Sequence, residues 1–242
     1  MNALHTLIFG RKYGYDFLTG LVAYYPFNGN SNESINGYNG VDTSVTYTTA
    51  KNGLGASFNG TSSKIIVPNN LDFTPTNGTN DVPMSWSFWV NFSSINHMQL
   101  MTRRTTNSVA EWQIWINNTG NLQFKLYSQN STTNYLGRTT TSGFFNVSQW
   151  TYITITYDGS GLDSGLKLYK NGIAASTGSA SAGTYVKCTN TGSNTAFGVG
   201  EWFNGNYING ILDEVAIWKN RELTSLEVAE LYNSGAGKFY PF

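Results

Sequence analysis

Short segments in which apolar and polar residues alternate with a period of two recur from Leu21 onward and constrain the fold more than any other feature. Successive side chains of an extended strand point to opposite faces, so each segment would carry one apolar face. In SWSFWVNF (85–92) the residues of that face are Trp86, Phe88, Val90 and Phe92. EWQIWIN (111–117) and NLQFKLYS (121–128) repeat the pattern. Many short strands with turn residues between them predict an all-β, two-sheet antiparallel sandwich of the jelly-roll type.

Aromatic residues also occupy the opposite faces of several predicted strands. They are Trp89, Trp115, Tyr127 and Tyr169. Three more aromatic residues, Trp202, Phe203 and Tyr207, lie in a loop rich in glycine and asparagine. Exposed rings in such a loop are candidates for ligand binding, here by stacking on a sugar. The alternative, which we favour for the strand aromatics, is that the rings fill the core or cover a sheet.

Two local motifs predict where the chain turns and where it forms a helix. Asn59-Gly60 is typical of the two-residue turn of a β-hairpin. Near the C-terminus, Thr224 and Glu227 have the spacing of a capping box, in which each residue satisfies a backbone N–H of the other. This spacing predicts a short helix over 225–232.

Composition and charge exclude several classes of protein. The chain has 242 residues, of which 15% are aromatic and 12% charged, and its formal net charge is zero. No cluster of lysine and arginine has the density that nucleic-acid binding requires, and no apolar run approaches the ~20 residues of a membrane span. Cys188 is the only cysteine, so an internal disulfide is excluded. The N-terminal residues lack the pattern of a secretory signal, so we expect neither export by that route nor membrane insertion.

Six segments, taken together and in order, resemble a known family. They are GLVAYYPFNGNSNESINGYNG (20–40), ASFNGTSSKIIVPN (56–69), SWSFWVNF (85–92), QWTYITITYDGSG (149–161), LKLYKNG (166–172) and FNGNYINGILDEVAIWKNRELTSLEVAELYN (203–233). Together they resemble the LamG-like jelly-roll family, a branch of the concanavalin A-like lectin/glucanase fold. The resemblance implies a sandwich of two antiparallel sheets over 20–242 with one short C-terminal helix, preceded by an N-terminal arm over 1–19. One departure is Asn28, where the family often has aspartate.

Asp213 and Glu214 are adjacent acids in the last predicted strand, and they bear on whether the chain is a glucanase. Two catalytic carboxylates must flank one glycosidic bond, roughly 5–9 Å from each other. Adjacent residues of a regular strand point to opposite faces, and no further acid joins either face. The only histidines, His5 and His97, do not have a metal-binding spacing. We therefore predict that the protein is not an enzyme.

Asp213 has two alternative roles that the sequence leaves open. In folds of this type the first and last strands pair antiparallel, which would bring Asn28 and Asn30 close to Asp213. Calcium takes carboxylate, amide and carbonyl oxygens as ligands, so these three residues could form a calcium site. Alternatively, Asp213 accepts hydrogen bonds from backbone N–H groups and acts as a latch between the first and last strands.

The ending YNSGAGKFYPF (232–242) resembles domains of the same family in phage structural proteins. This resemblance implies a virion protein, assembled in the host cytoplasm, that serves as a capsid decoration, head-fibre or tail-appendage subunit. We expect a homo-oligomer that displays the jelly roll, with a host-surface glycan as the candidate ligand and neither nucleic acid nor a membrane as a partner. The alternative is an extracellular carbohydrate-binding or adhesion module of a bacterium.

The arm over 1–19 is rich in apolar side chains for a segment outside the predicted sandwich. They are Leu4, Leu7, Ile8, Phe9, Tyr13, Phe17 and Leu18. Full burial of such a side chain is worth about 1.5–3 kcal/mol, so exposure of all of them is unfavourable. We expect the arm to pack on other virion proteins, by strand addition or as a short helix in a groove, rather than on its own sandwich.

Overall fold

The computed structural model describes residues 14–106, 109–129, 131–198 and 205–242, and these residues form the predicted all-β sandwich with one short α-helix. The strands are β1 (Leu21–Tyr25), β2 (Val41–Thr43), β3 (Thr46–Thr49), β4 (Leu54–Asn59), β5 (Lys64–Val67), β6 (Met84–Phe92), β7 (Met98–Arg104), β8 (Ala110–Ile116), β9 (Leu122–Tyr127), β10 (Tyr135–Thr140), β11 (Thr151–Tyr157), β12 (Leu166–Lys170), β13 (Ile173–Ala174), β14 (Thr177–Ser179), β15 (Thr195–Phe197) and β16 (Asn209–Lys219). The helix α1 spans Ser225–Tyr232, and 3-10 turns span Leu71–Phe73, Asp163–Gly165 and Asn233–Gly235.

The strands of the described residues form two antiparallel sheets of eight strands each. The first sheet has the order β13-β12-β11-β6-β16-β4-β3, with β1 also pairing with β16, and the second has the order β14-β10-β9-β8-β7-β15-β5-β2. The first and last strands pair antiparallel as predicted, with Tyr25 opposite Val215. Along one edge, β16 pairs first with β4 and then with β1, so these two strands follow each other end to end.

The inner faces of the two sheets pack on each other through the apolar residues that the alternation predicted. The four alternating residues of the segment 85–92 all belong to the buried core. The ring of Trp86 lies 5.4 Å from that of Trp112 and 5.1 Å from that of Phe124, both in the second sheet. Aromatic side chains of this size bury about 150–250 Å² each, so these contacts contribute strongly to the stability of the sandwich.

The outer face of the first sheet is covered by residues from both ends of the described chain. A second buried cluster lies there, made of Phe17, Leu21, Tyr24, Trp89, Tyr152, Tyr169, Ala216, Trp218, Leu223, Val228 and Leu231. We call this surface the covered face. Trp218 Nε1 donates a hydrogen bond to the Phe17 carbonyl at 2.8 Å, and the ring of Phe242 lies 5.3 Å from that of Phe17. The prediction that Trp89 and Tyr169 cover a sheet is confirmed.

Of residues 14–19 of the predicted arm, Phe17 belongs to this covered face. Phe17 is 1% exposed. The Asp16 carboxylate accepts hydrogen bonds from the N–H groups of Leu18 at 2.9 Å and Thr19 at 3.1 Å, which closes a turn just before β1. Phe17, for which the sequence suggests a partner surface, therefore has its apolar contacts within its own domain. The contacts predicted for residues 1–13 lie outside the described residues.

The helix α1 begins as the capping box predicts. Thr224 Oγ1 accepts a hydrogen bond from the N–H of Glu227 at 3.3 Å, and Glu227 Oε2 accepts one from the N–H of Thr224 at 2.8 Å. Val228 and Leu231 are its buried residues, and both belong to the covered face. Among the described residues, no helix has the length and apolar character needed to cross a membrane.

The Asn59-Gly60 turn does not form the predicted hairpin. β4 ends at Asn59 and pairs within the first sheet, whereas β5 begins at Lys64 and pairs within the second. The Asn59 amide oxygen accepts hydrogen bonds from the N–H groups of residues 61–63, at 2.9–3.1 Å. Because this side chain stabilises the turn by itself, no pairing between the flanking strands is needed, and the chain crosses from one sheet to the other.

Candidate functional site

A β-bulge in β16 places Asp213 and Glu214 on the same face of the first sheet. The register with β6 shifts between Asp213 and Ala216, and Glu214 has a φ of +54°. Leu212 and Val215, on either side of the two acids, both belong to the core. A bulge inserts one extra residue and so interrupts the alternation of side chains. The prediction that the two acids point to opposite faces is therefore wrong.

Both carboxylates contact Asn52, in the turn that joins β3 and β4. The N–H of Asn52 donates to Asp213 Oδ2 at 3.0 Å, and Asn52 Nδ2 donates to Glu214 Oε1 at 2.8 Å. Tyr24 Oη donates to Glu214 Oε2 and accepts a hydrogen bond from the N–H of Tyr240 at 3.0 Å. The two acids thereby connect the β3–β4 turn, the first strand and the C-terminal tail, and it is Glu214 that contacts the first strand.

Burial raises the pKa of both acids, to about 7 for Asp213 and to about 8 for Glu214. Their exposed fractions are 0% and 4%. The cavity beside Glu214 measures about 10 Å³, which is close to the room that one water molecule needs. A saccharide has no access to the acids in this arrangement. Their contacts fit the structural latch, with the β3–β4 turn as an additional partner.

Asn28 and Asn30, the other residues of the predicted calcium site, also bind backbone groups. Asn28 Oδ1 accepts from the N–H of Leu54 at 2.8 Å, and Asn30 Oδ1 from the N–H of Asn32 at 2.9 Å. Asp213 Oδ1 is buried without a hydrogen-bond partner among the described residues. Within the same ranges, no three histidine, cysteine or acidic residues are grouped to hold a metal ion. These contacts do not favour a cation, and calcium binding stays a prediction.

The loop that carries the predicted ligand-binding aromatics reaches the second sheet. Trp202 and Phe203 lie outside the described residues, and Tyr207 is half-buried. The carbonyl of Asn206 accepts a hydrogen bond from the N–H of Gln99 at 2.9 Å. The described end of the loop is therefore attached to β7.

The outer face of the second sheet differs from the covered face, because neither α1 nor the described C-terminal tail packs on it. A shallow depression of about 140 Å³ opens there, across β7, β8 and β9. It is lined by His97, Gln99, Arg104, Gln113, Trp115, Lys125 and Tyr127. We call this surface the open face and these seven residues the open-face site. Trp115 is half-buried and belongs to neither buried cluster, so its ring lies on the outer face of this sheet and does not fill the core.

Hydrogen bonds fix the polar side chains of the open-face site. Gln113 Oε1 accepts from Tyr127 Oη and from Arg104 Nη1 at 3.1 Å, and Gln113 Nε2 donates to Gln99 Oε1 at 3.2 Å. Both glutamines are buried, with 1% and 3% exposed for Gln99 and Gln113. Burial raises the pKa of Tyr127 to about 12, so its hydroxyl remains a donor at neutral pH. The planar groups are therefore held in place before any ligand arrives.

Trp115 lies between two basic side chains on this face. Its ring is 4.9 Å from that of His97 and 5.5 Å from Lys125 Nζ. Burial lowers the pKa of His97, so the imidazole is neutral at pH 7. Trp115 Nε1 and His97 Nε2 are buried without a hydrogen-bond partner in the described parts of the chain. The site thus combines an accessible aromatic ring with polar groups whose bonding capacity is only partly used.

With this geometry in place, comparison with known families identifies the chain. A model of the concanavalin A-like lectin/glucanases superfamily matches residues 59–229, which is well over half of the chain. The protein belongs to this superfamily, as the six sequence segments predict. A comparison with curated proteins finds no match.

Solved structures with the same fold include a domain of an extracellular arabinanase and the binding domains of a mosquitocidal protein and of botulinum neurotoxins. One is domain 4 of AbnA, an extracellular arabinanase from Geobacillus stearothermophilus, which was solved in complex with arabinotriose. It is 20% identical to this chain with a TM-score of 0.58, and the match covers 87% of this chain and 97% of that domain. The binding domain of Paraclostridial Mosquitocidal Protein 1 is 21% identical with a TM-score of 0.66, over 89% of this chain and 52% of that one. The botulinum neurotoxin serotype D/C binding domain is 18% identical with a TM-score of 0.65, over 89% and 52%. The chain thus spans about half of the toxin binding domains.

Sequence reasoning placed Trp115 and Tyr127 on an outer face but did not select them as a site. The sequence feature that could have indicated this site is the mixture of polar and aromatic residues on the outer face of β8 and β9. At alternate positions, β8 carries Gln113 with Trp115, and β9 carries Lys125 with Tyr127, so polar and aromatic residues share one surface. The pairing of β8 with β9 brings them together, and pairing depends on tertiary structure.

Proposed function

We propose that the protein is a non-enzymatic carbohydrate-binding domain and that the saccharide lies on the open-face site. The observation that carries this proposal is the half-buried ring of Trp115 beside two buried glutamine amides in a shallow depression. A sugar ring has apolar C–H faces and a rim of hydroxyl groups. An aromatic ring provides the apolar contact, and the polar side chains that line the depression provide hydrogen-bond partners for hydroxyl groups.

The rigidity of the site supports binding. Because Gln113 is already bonded to Tyr127, Arg104 and Gln99, little side-chain entropy is lost when a ligand binds. The arabinanase domain that shares this fold was solved with arabinotriose, and the botulinum neurotoxins and the mosquitocidal protein use theirs within binding domains. These relatives support saccharide recognition as the first function to test.

Binding to saccharides tests the proposal directly. The full chain is titrated by calorimetry against arabinotriose and a panel of short oligosaccharides. Trp115→Ala should raise the Kd of any ligand at least about tenfold, as loss of an aromatic anchor does. Trp150→Ala is the matched control, because Trp150 is also partly buried but packs beside the covered face. A panel without a single ligand, or equal losses in both variants, would overturn the proposal.

The absence of catalysis is a separate part of the proposal. Asp213 and Glu214 share a face but are closed off from a saccharide by the tail and the β3–β4 turn. Incubation with a panel of polysaccharides should release no reducing ends. Release of reducing ends that Glu214→Gln abolishes would contradict this part and leave the binding proposal intact.

We also propose that the domain is displayed on a phage particle as a decoration, head-fibre or tail-appendage subunit. The resemblance of 232–242 to phage structural proteins and the apolar load of residues 1–13 support this role. An extracellular bacterial adhesion module is the alternative. Mass spectrometry of purified particles tests the role, and deletion of residues 1–13, which leaves Phe17 in place, should yield a folded domain that no longer incorporates. Normal incorporation of that variant would exclude the arm as the attachment segment.

A further inference from the structure

The open-face site is positively charged although the chain as a whole is neutral. The chain has 14 basic and 14 acidic residues. Arg104 and Lys125 line the depression, and no aspartate or glutamate is among the lining residues that the structure describes. Charge is therefore unevenly distributed, with two cations beside the surface on which the saccharide would lie.

Lys125 differs from Lys167 and Lys238, whose ammonium groups are paired with glutamates. Lys167 and Lys238 each lie within 2.9 Å of a glutamate oxygen. The ammonium of Lys125 instead lies over aromatic faces, 4.1 Å from the ring centroid of Tyr135 and 5.5 Å from that of Trp115. Aromatic faces attract a cation without neutralising its charge, so this ammonium remains able to attract an anion.

Arg104 is held with its guanidinium group at the edge of the same depression. Nη1 donates to Gln113 at 3.1 Å and to Tyr127 Oη at 3.3 Å, and Nε donates to the Thr106 carbonyl at 3.1 Å. The three oxygens that accept these bonds belong to neutral groups, and they orient the guanidinium. A guanidinium is planar and presents several N–H donors, which suits carboxylate and sulfate groups.

From these observations we propose that the saccharide bound at the open-face site carries an anionic group, a carboxylate or a sulfate, and that Lys125 and Arg104 recognise it. This inference rests on the proposed function and narrows it to acidic glycans such as uronic-acid, sialylated or sulfated oligosaccharides. Trp115 would contact a sugar ring, while the two cations would contact its acidic substituent.

The experiment compares each acidic saccharide with its neutral counterpart. Probes are trigalacturonic acid and sialyllactose, each against its methyl ester, and sulfated lactose against lactose, titrated by calorimetry at low and physiological salt. The acidic member of at least one pair should bind about tenfold tighter than the neutral one, since a hydrogen bond to a charged group is stronger than one between neutral groups. That preference should shrink as salt rises.

Variants separate charge recognition from sugar binding. Lys125→Met, which keeps the apolar stem, should remove most of the preference for the acidic member, measured as the ratio of the two Kd values within each pair. Lys64→Met is the matched control, because Lys64 belongs to β5 of the same sheet, four strands from β9. At about 4.8 Å per strand this is roughly 19 Å, well beyond the screening length of about 8 Å.

Three results are distinguishable. An acidic preference lost in Lys125→Met but kept in Lys64→Met supports the inference. Equal binding of both members of every pair, with loss of both in Trp115→Ala, overturns the inference and leaves the proposed function standing. No binding by any member, acidic or neutral, overturns both.

Discussion

The two outer faces of the sandwich are built from the same kind of strand, but one is covered by other segments of the chain and the other is accessible. On the covered face, Trp89 and Trp218 are buried under Phe17, α1 and the C-terminal tail. On the open face, Trp115 keeps part of its ring accessible and its neighbours are glutamines and cations. Both faces carry aromatic residues at alternate positions, so the aromatic content of a face does not reveal its role.

The difference lies in the side chains between the rings. The aromatics of the covered face are joined by leucine, valine and alanine, which can only be stabilised by burial. Those of the open face are joined by polar groups that satisfy one another, as Gln113 does with Tyr127 and Gln99. Such a network is stable at a surface that water or a ligand can reach.

The largest expected effect is loss of stability at the covered face. Trp218→Ala should lower the free energy of unfolding by about 3–5 kcal/mol, because it leaves a cavity and breaks the hydrogen bond to Phe17. Urea denaturation measures the change. A loss below about 1 kcal/mol would show that the covering segments contribute little and would remove the contrast between the two faces.

The next effect is a pH dependence that comes from the buried acids. Both have a pKa raised by burial, so the folded state holds protons that the unfolded state releases, and stability should fall as pH rises from about 4 to 8. Glu214→Gln should be the more stable protein at pH 8, by on the order of 2 kcal/mol, and should show a flatter profile. Urea midpoints at pH 5, 6.5 and 8 provide the test, and parallel profiles for both proteins would contradict it.

A smaller effect is expected at the start of α1. Thr224→Ala removes the hydroxyl that accepts the N–H of Glu227 and should cost about 1 kcal/mol. Ser225→Ala, one residue later, is the control and should change stability little. If the two variants melt together, the helix is held in place by its contacts with the covered face and not by its cap.

The smallest effect on stability is expected on the open face. Trp115→Ala should lower the free energy of unfolding by less than about 1 kcal/mol, since its ring is partly exposed and joins neither buried cluster. Urea denaturation, as for Trp218→Ala, gives the comparison. A loss as large as that of Trp218→Ala would mean that Trp115 is structural, and a decrease in saccharide binding could then follow from unfolding.

The sequence alone was sufficient for the fold class, the inner faces and the helix cap. Trp86, Phe88, Trp112 and Phe124 follow a period of two, and Thr224 with Glu227 follows a fixed local spacing. These features depend on residues that are close together along the chain, so a local sequence pattern is enough to predict them.

Tertiary structure decided what the sequence could not. The bulge at Glu214 occurs where β16 changes partner from β4 to β1, and it reversed the expected orientation of one acid. Asn59 directs the chain into the other sheet instead of a hairpin. Which outer face is covered depends on where Phe17, α1 and the C-terminal tail pack. These segments come from opposite ends of the described chain, and Trp218 and Phe17, which share a hydrogen bond, are 201 residues apart. Strand pairing and packing over such separations are set by the whole fold, because local propensity does not encode which distant surface buries most apolar area.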